Sequence, residues 1–478
     1  MRQLDNCIYI DALALVPEKK SGVGYTLEQT LLKLIDQNQT HKLYTIYLVV
    51  PLGKAKYLKK YLQTNVGTKN IYLPARIFEI LLRLRLFPPV DWLLGAGVYI
   101  FPNYRNWPLW HSRSLTYVYD VSFIKFPEMV QPKNQKYLSR YINRWVSRTD
   151  RIITISNQVR NEIEKELNQP YAKIAVVYCG VDPATFYRRK VSEVETVKEK
   201  YGIYPKNYFL FVGNIEPRKN LKTLLSVYEK LPPDIMNKYG LVIVGGDSWL
   251  SEEFNDRLKK TQLKGLTIVQ PNQYVITADL PALYSGARAL IHPAIYEGFG
   301  ITPLEAMACG TPVIASAIPA IKEVSQGAAF YFDPFEPGSI SRAIINGLTD
   351  DRAIKEHLAE GRLRADKLTW ANTAAALGKV IEEEIRKGPH RWPMLSKLKL
   401  LYVFLDLKIR KMLGDKTPSP YHPQQRESLE QLRVNIYNDF LKEQPSYIQA
   451  EILKAYLLIK HVTAQILKSI YHNLKAQK

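Results

Sequence analysis

A chain of 478 residues, 46% hydrophobic and 23% charged, is too long for one ordinary core and too apolar for a disordered or fibrous protein. Its 66 Lys and Arg against 45 Asp and Glu leave a net charge of +21, which points to an anionic partner: nucleic acid, an anionic membrane face or a phosphorylated substrate. Three cysteines without metal-ligand spacing (Cys7, Cys179 and Cys309) suit a reducing cytosol, and no stretch reaches the roughly 18 to 20 apolar residues of a membrane-spanning helix.

In chain order, Ile8 to Ile10 reads as a first strand, with no signal-peptide core around it. The loop Ser21-Gly22-Val23-Gly24 precedes a helix predicted from Tyr25 to Ile35. Leu43 to Val50, Thr116 to Val118, Arg151 to Ile155 and Ala175 to Tyr178 follow as strands. A charged stretch near residues 188 to 205 marks a boundary, and the pattern restarts. Tyr208 to Val212, Leu241 to Val244, Leu266 to Val269, Ala289 to His292, Val313 to Ser316 and Ala328 to Phe332 are the strands of a second half. Strands alternating with helices predict βαβ units and parallel sheets, an α/β fold in two Rossmann-like halves. From Pro389 the chain turns helical and basic: Leu395 to Leu413, a Pro-rich hinge at Thr417 to Pro423, then Glu427 to Leu441 and Tyr447 to Leu474.

Chemistry concentrates in the second half. Tyr296-Glu297-Gly298-Phe299-Gly300-Ile301-Thr302-Pro303-Leu304-Glu305 reads as a strand, a glycine turn and a helix opening at Pro303 with Thr302 as its cap. Loop amides and the helix dipole suit a diphosphate, and Gly298 and Gly300 permit close approach. Glu297 and Glu305, eight residues apart, can bind hydroxyls. Thr302-x-x-Glu305 is equally a capping box, which would give Glu305 a purely structural duty.

Arg218 and Lys219, at a turn after a strand, can neutralise a departing diphosphate or form a solvated charged turn. Tyr119-Asp120 ends another strand, and Asp120 reads equally as a strand-end cap or an acceptor contact. Turn chemistry alone accounts for Gly24. His292, on an apolar strand, is expected to be structural. No Asp-x-Asp and no His/Cys metal spacing occur, so neither a metal nor any other cofactor is expected.

Two basic surfaces stand out. Lys54, Lys56, Lys59, Lys60, Lys69, Arg76, Arg83 and Arg85 meet the single acid Glu79, with Ile77, Phe78, Ile80, Leu81 and Leu82 interleaved. Such a helix lies on an anionic membrane or packs on the core with a solvated rim. The helix from Leu395 repeats the pattern with Lys397, Lys399, Lys408, Arg410 and Lys411.

The segment from Phe211 to Pro334 resembles the donor-binding half of the retaining family 4, or group 1, glycosyltransferases of mannosyl- and rhamnosyltransferase type. The matching residues are Gly213, Glu216-Pro217-Arg218-Lys219-Asn220, Leu283-Tyr284-Ser285-Gly286-Ala287 and Glu297-Gly298-Phe299-Gly300 through Glu305. The resemblance implies a GT-B fold: two facing Rossmann-like domains with, here, a helical C-terminal extension. Residues 1–190 would form the acceptor side, 200–365 the nucleotide-sugar domain, 366–388 a helix crossing back to the first domain, and 389–478 the extension.

It further implies that Glu297 meets donor-sugar hydroxyls and Glu305 the ribose. The amides of Phe299, Gly300 and Ile301 would lie against sugar and phosphates, Leu304 beside ribose and base, and Lys219 on the phosphates. Many relatives carry an Arg just after the strand glycine; Asn214 stands there, so phosphate stabilisation would lean on Arg218 and Lys219. By the same resemblance Gly24 lies in the cleft, close to donor phosphates or acceptor. Tyr119 takes a place often held by His and cannot serve as an imidazole base. Retaining relatives use the donor's own phosphate oxygen to take the acceptor proton.

The expected activity is hexose transfer from a nucleoside-diphosphate sugar, GDP-mannose ahead of a UDP-sugar, to a cell-surface glycan or lipid-linked acceptor. The expected place is the cytoplasm, peripheral to the inner membrane face. The alternative is an inactive, partner-binding scaffold. Nucleic acid is not an expected partner, because no recognition motif is present and the carboxylate pair would repel it.

Overall fold

A computed structural model describes residues 6–41, 43–84, 89–246, 251–263 and 265–390. The helices expected between Leu395 and Leu474 lie outside the described residues. A first parallel sheet comprises β1 (Cys7–Asp11), β2 (Thr45–Pro51), β3 (Val66–Ile71), β4 (Val98–Phe101), β5 (Arg113–Tyr117), β6 (Arg151–Thr154) and β7 (Ile174–Val176), in the order β3-β2-β1-β4-β5-β6-β7. A second comprises β8 (Tyr208–Val212), β9 (Gly240–Val244), β10 (Ile268–Val269), β11 (Ala289–His292), β12 (Val313–Ser316) and β13 (Phe330–Phe332), in the order β10-β9-β8-β11-β12-β13.

Helices cover both faces of such sheets, so the central strands are apolar throughout; Tyr208 to Val212 are all buried. β3 escapes the sequence reading because it is a half-buried edge strand, VGTKNI, with little apolar pattern. β4, four residues buried throughout, is also absent from the strands expected from the sequence. In each sheet the strand order reverses at its first strand: β1 pairs with β2 and β4, and β8 with β9 and β11. Crevices at the carboxyl ends of strands around such a reversal are where ligands bind in α/β folds.

One apolar cluster is continuous between the sheets. It passes from Ile10 and Tyr117 through Val177, Cys179 and Phe186 to Phe299, Leu304 and Leu290. The helix Trp370–Lys387, capped by the Thr369 side chain accepting from Asn372 N at 3.2 Å, returns to the first sheet and lies along the helix Gly22–His41. Trp370 is fully buried and meets Tyr25 edge-on at 5.9 Å. Tyr44 donates its hydroxyl hydrogen to Glu382 Oε1 at 2.9 Å, and Gln37 Nε2 donates to the Ala371 carbonyl at 2.8 Å. Emptying the Trp370 site should cost about 3–5 kcal/mol. Trp370→Ala is therefore expected to lower Tm by several degrees in scanning calorimetry; an unchanged Tm would remove this helix from the cooperative core.

Among the described residues no helix is long and apolar enough to cross a membrane.

Candidate functional site

The reversal in the second sheet places two loops side by side. After β8 the chain turns through Pro217–Lys219, a single 3-10 turn closed by Asn220 in the left-handed region at φ 57°. The Arg218 carbonyl accepts from Ile295 N at 2.8 Å, fastening this turn to the loop after β11. That loop carries Glu297 and opens the helix Ile301–Ala308.

The helix starts two residues earlier than the sequence suggests. Gly300, at φ 111°, occupies its N-terminal boundary, so Thr302 and Glu305 fall inside it and the capping box does not form. Thr302 Oγ1 instead lies 3.2 Å from His292 Nδ1, and Glu305 accepts a hydrogen bond from the Tyr284 hydroxyl at 2.9 Å.

Glu297 is the electrostatic centre. One carboxylate oxygen meets Lys219 Nζ and lies 3.3 Å from His292 Nε2; the other accepts from Arg218 Nη1 at 2.9 Å. Arg218 also donates through Nε to Glu216 at 2.8 Å. Burial acts to raise the Glu297 carboxyl, but Lys219 and Arg218, then His292, hold it well below the usual carboxylate range. Burial also keeps His292 low, against the pull of Glu297. His292 therefore touches the site carboxylate through one ring nitrogen, which its apolar strand context concealed.

Glu305 behaves oppositely. Burial pushes its carboxyl up to about 7, with the Tyr284 hydrogen bond opposing. A carboxyl raised on folding contributes stability that is complete below its unfolded pKa and lost as pH rises through about 7. The ionised form costs on the order of 3 kcal/mol. Glu305→Gln should therefore gain stability relative to the parent between pH 5 and pH 8, read by denaturant melts. A constant difference across that range would contradict the buried, raised carboxyl.

The first domain meets this loop directly. A Cβ built on Gly298 would stand 2.3 Å from the Tyr119 carbonyl oxygen, so only glycine fits there. Tyr119 itself points into the first domain's core, stacked on Tyr117 at 5.4 Å and nearly buried. Burial, then Tyr117, raises its hydroxyl well above the ordinary value. Asp120 accepts from Ser122 N at 3.0 Å and Ser122 Oγ at 2.7 Å, and its charge also reaches Arg218.

Gly24 lies within the first turn of the helix Gly22–His41, and Ser21 Oγ accepts from its amide at 3.3 Å. The close approach it permits is to the Ala14 carbonyl oxygen, 2.6 Å from a built Cβ. Leu304 and Phe299 are buried, the latter 6.2 Å from the Tyr178 ring, and Ile301 is half-buried at the helix start.

Sequence reasoning missed the residues that join the domains. Tyr296 donates its hydroxyl hydrogen to Glu162 Oε2 at 2.6 Å and accepts from Val121 N at 3.2 Å. Ser156 Oγ donates to the Gly298 carbonyl at 2.7 Å. Glu323 caps a helix of the opposite domain, accepting from Asn157 N at 2.7 Å, Gln158 N at 3.0 Å and the Tyr178 hydroxyl at 2.7 Å. Glu162, Ser156 and Glu323 lie in no motif, and the motif around Tyr296 and Gly298 does not indicate these partners. Their partners lie more than 130 residues away in sequence.

Residues 193–362 match the family described as "Glycosyl transferases group 1", and residues 63–185 match "Glycosyltransferase Family 4". The chain is 31% identical over 277 residues to an O-antigen chain mannosyltransferase B of Escherichia coli, covering 58% of this chain and 71% of that one. It is 32% identical over 253 residues to the O-antigen chain mannosyltransferase RfbU of Salmonella typhimurium, covering 53% of this chain and 65% of that one. Among solved structures, a sucrose-phosphate synthase from Thermosynechococcus elongatus superposes with a TM-score of 0.61 at 16% identity, over 81% of this chain and 100% of that one.

Proposed function

The chain belongs to the group 1 glycosyltransferases of family 4 and has the GT-B fold, and from that premise we propose that it transfers mannose from GDP-mannose, with retained anomeric configuration, to a cell-surface glycan or lipid-linked acceptor. The mannosyl assignment is supported by two O-antigen mannosyltransferases among the relatives. The observation that carries the reading is the Glu297 carboxylate held by Lys219 and Arg218 at a helix N-terminus, opposite the Tyr119-Asp120 strand end. The two cations have more donors than Glu297 and Glu216 occupy, so a diphosphate can be bound beside them.

In this reading the amides of Phe299, Gly300 and Ile301 face the phosphates and sugar. Glu297 accepts from the sugar hydroxyls, Glu305 from the ribose, and Leu304 backs ribose and base. The acceptor oxygen bonds to C1 on the face from which the diphosphate departs. The C1–O bond to phosphate breaks, and the acceptor proton passes to a phosphate oxygen. Arg218 and Lys219 stabilise the charge left on the nucleoside diphosphate, which a metal ion would otherwise meet. Tyr119 keeps its proton and takes no part as a base; its carbonyl and Asp120 shape the acceptor side.

The test is a panel of nucleotide sugars in buffer containing EDTA, with the product anomer read by NMR. GDP-mannose should be consumed fastest and give the retained anomer. Faster turnover of a UDP-sugar reassigns the donor. Nucleotide binding without turnover of any donor would leave an inactive scaffold.

A further inference from the structure

The first sheet has a strand-order reversal of its own, and the donor loops do not use the crevice it opens. That crevice lies outside the carboxyl ends of β1 and β4, where Asp11 ends β1 and Asn103, Tyr104 and Arg105 follow β4. Asp11 is buried, Arg105 and Glu79 are partly exposed, and Asn103 is exposed. Tyr104 stands in the left-handed region at φ 56°. A bulky side chain there is strained, and such strain concentrates at ligand and active sites. The turn sends neighbouring side chains different ways. Tyr104 packs edge-on against Tyr119 and Phe123 at 6.2 and 6.1 Å, while Arg105 reaches Glu79 and Asp11. The crevice is thereby joined to the strand end that carries Asp120.

The Arg105 guanidinium is incompletely satisfied. Nη1 pairs with Glu79, and Nη2 lies 3.9 Å from Asp11 Oδ2, beyond direct hydrogen-bond reach. Nε is buried without a hydrogen-bond partner among the described residues. A donor and an acceptor held that far apart are bridged by a group that accepts from one and donates to the other, which is what a hydroxyl does. A phosphate would face Asp11 and Glu79, and a cation would face Arg105, so the charges select a neutral, polyhydroxylated ligand. An aromatic surface adjoins them. Tyr137 donates its hydroxyl hydrogen to Glu79 at 3.2 Å and belongs to the helix Pro132–Arg148. There Tyr137, Tyr141 and Trp145 recur every fourth residue as three partly exposed rings with centroids 5.3 to 5.7 Å apart. Hydroxyl-binding charges beside aromatic rings match a saccharide, whose ring has polar edges and apolar C–H faces.

We propose that this crevice is a neutral-saccharide subsite, in which Asp11 and Arg105 share a sugar hydroxyl and the rings of Tyr137, Tyr141 and Trp145 take the C–H face of a neighbouring sugar. The proposal rests on the sugar-transfer reading for its place in the reaction and deepens it: the acceptor is recognised through its terminal sugars and not through a phosphate. Tyr104 is then a positioning residue, whose strained turn sets Arg105 towards Asp11.

The experiment is saturation-transfer NMR on the full-length protein with GDP present, using mannotriose, maltotriose and N-acetylchitotriose as neutral probes and mannose 6-phosphate as the anionic one. At least one neutral trisaccharide should bind, and more tightly than mannose 6-phosphate. Asp11→Asn and Arg105→Lys should each weaken that binding about tenfold, the worth of one hydrogen bond to a charged group. Tyr141→Leu should weaken it about fivefold through the lost ring. Arg105→Lys keeps the charge and Tyr141 is partly exposed, so these two variants serve even if Asp11→Asn fails to fold; a GDP titration checks the fold of each. Saccharide binding that responds to these variants in a protein that turns over no nucleotide sugar would sink the transfer reading and leave the subsite standing. Parent-level trisaccharide binding in both Arg105→Lys and Tyr141→Leu would overturn the subsite. So would a parent that binds GDP and none of the neutral trisaccharides. Preference for mannose 6-phosphate, lost in Arg105→Lys, would overturn the neutral class and make this an anion site.

Discussion

Glu297→Gln is expected to lower kcat by about 10²–10³-fold, the range for removing one preorganised polar contact to a developing charge. The parent carboxylate accepts from Arg218 and lies against Lys219, and the proposed role gives it the donor-sugar hydroxyls as well. Gln keeps the shape but removes the charge. Because the substitution also relieves both cations of a competing anion, GDP affinity should hold or rise while turnover falls. That split separates a contact to the sugar from a purely structural part, which would weaken nucleotide binding and turnover together. Stopped transfer assays and calorimetric GDP titration measure the two quantities. Parent-like kcat in Glu297→Gln would remove this residue from the donor site.

Lys219→Ala is expected to cost about tenfold in GDP affinity and about 10²-fold in kcat, since a charged donor to the leaving diphosphate is lost. A second effect follows from the pair itself. Lys219 is the larger of the two cationic influences that depress the Glu297 carboxyl, against the burial that raises it. Without Lys219 that carboxyl titrates higher, so the acid limb of the kcat/KM profile should move to higher pH. Lys219→Arg should restore much of the binding and return the limb towards the parent position. A profile and rate identical to the parent would make this turn a solvated surface feature.

The depressed Glu297 carboxyl also sets a stability trend. A carboxyl lowered on folding contributes stability above its unfolded pKa and loses it as pH falls through the folded value. Glu305 works in the other direction, losing stability as pH rises through about 7. The two site carboxylates, eight residues apart in one loop and helix, thus respond oppositely to pH because two cations outweigh burial at Glu297, while at Glu305 burial outweighs the hydrogen bond from Tyr284.

By itself the sequence determined the two parallel-sheet halves, because both-sided burial writes continuous apolar runs such as Tyr208–Val212 and Ala289–His292 into the chain. It also determined the two loops of the candidate site. Glu297 and the Arg218-Lys219 pair sit in short segments whose glycines, proline and charges are local and legible. The tertiary structure decided the contacts made within those segments. Whether Thr302 caps the helix depends on where Gly300 takes its left-handed turn, and that moved Glu305 from a helix cap to a buried partner of Tyr284. The approach of the Ala14 carbonyl to Gly24 is likewise a tertiary contact that the Gly-x-Gly pattern does not announce. The joining of the domains through Glu323, Tyr296 and Ser156 is invisible in any window of the chain. A hydrogen bond to a residue more than 130 positions away leaves no periodicity, and a carboxylate that caps a helix in the other domain looks, in sequence, like one more charge on a surface.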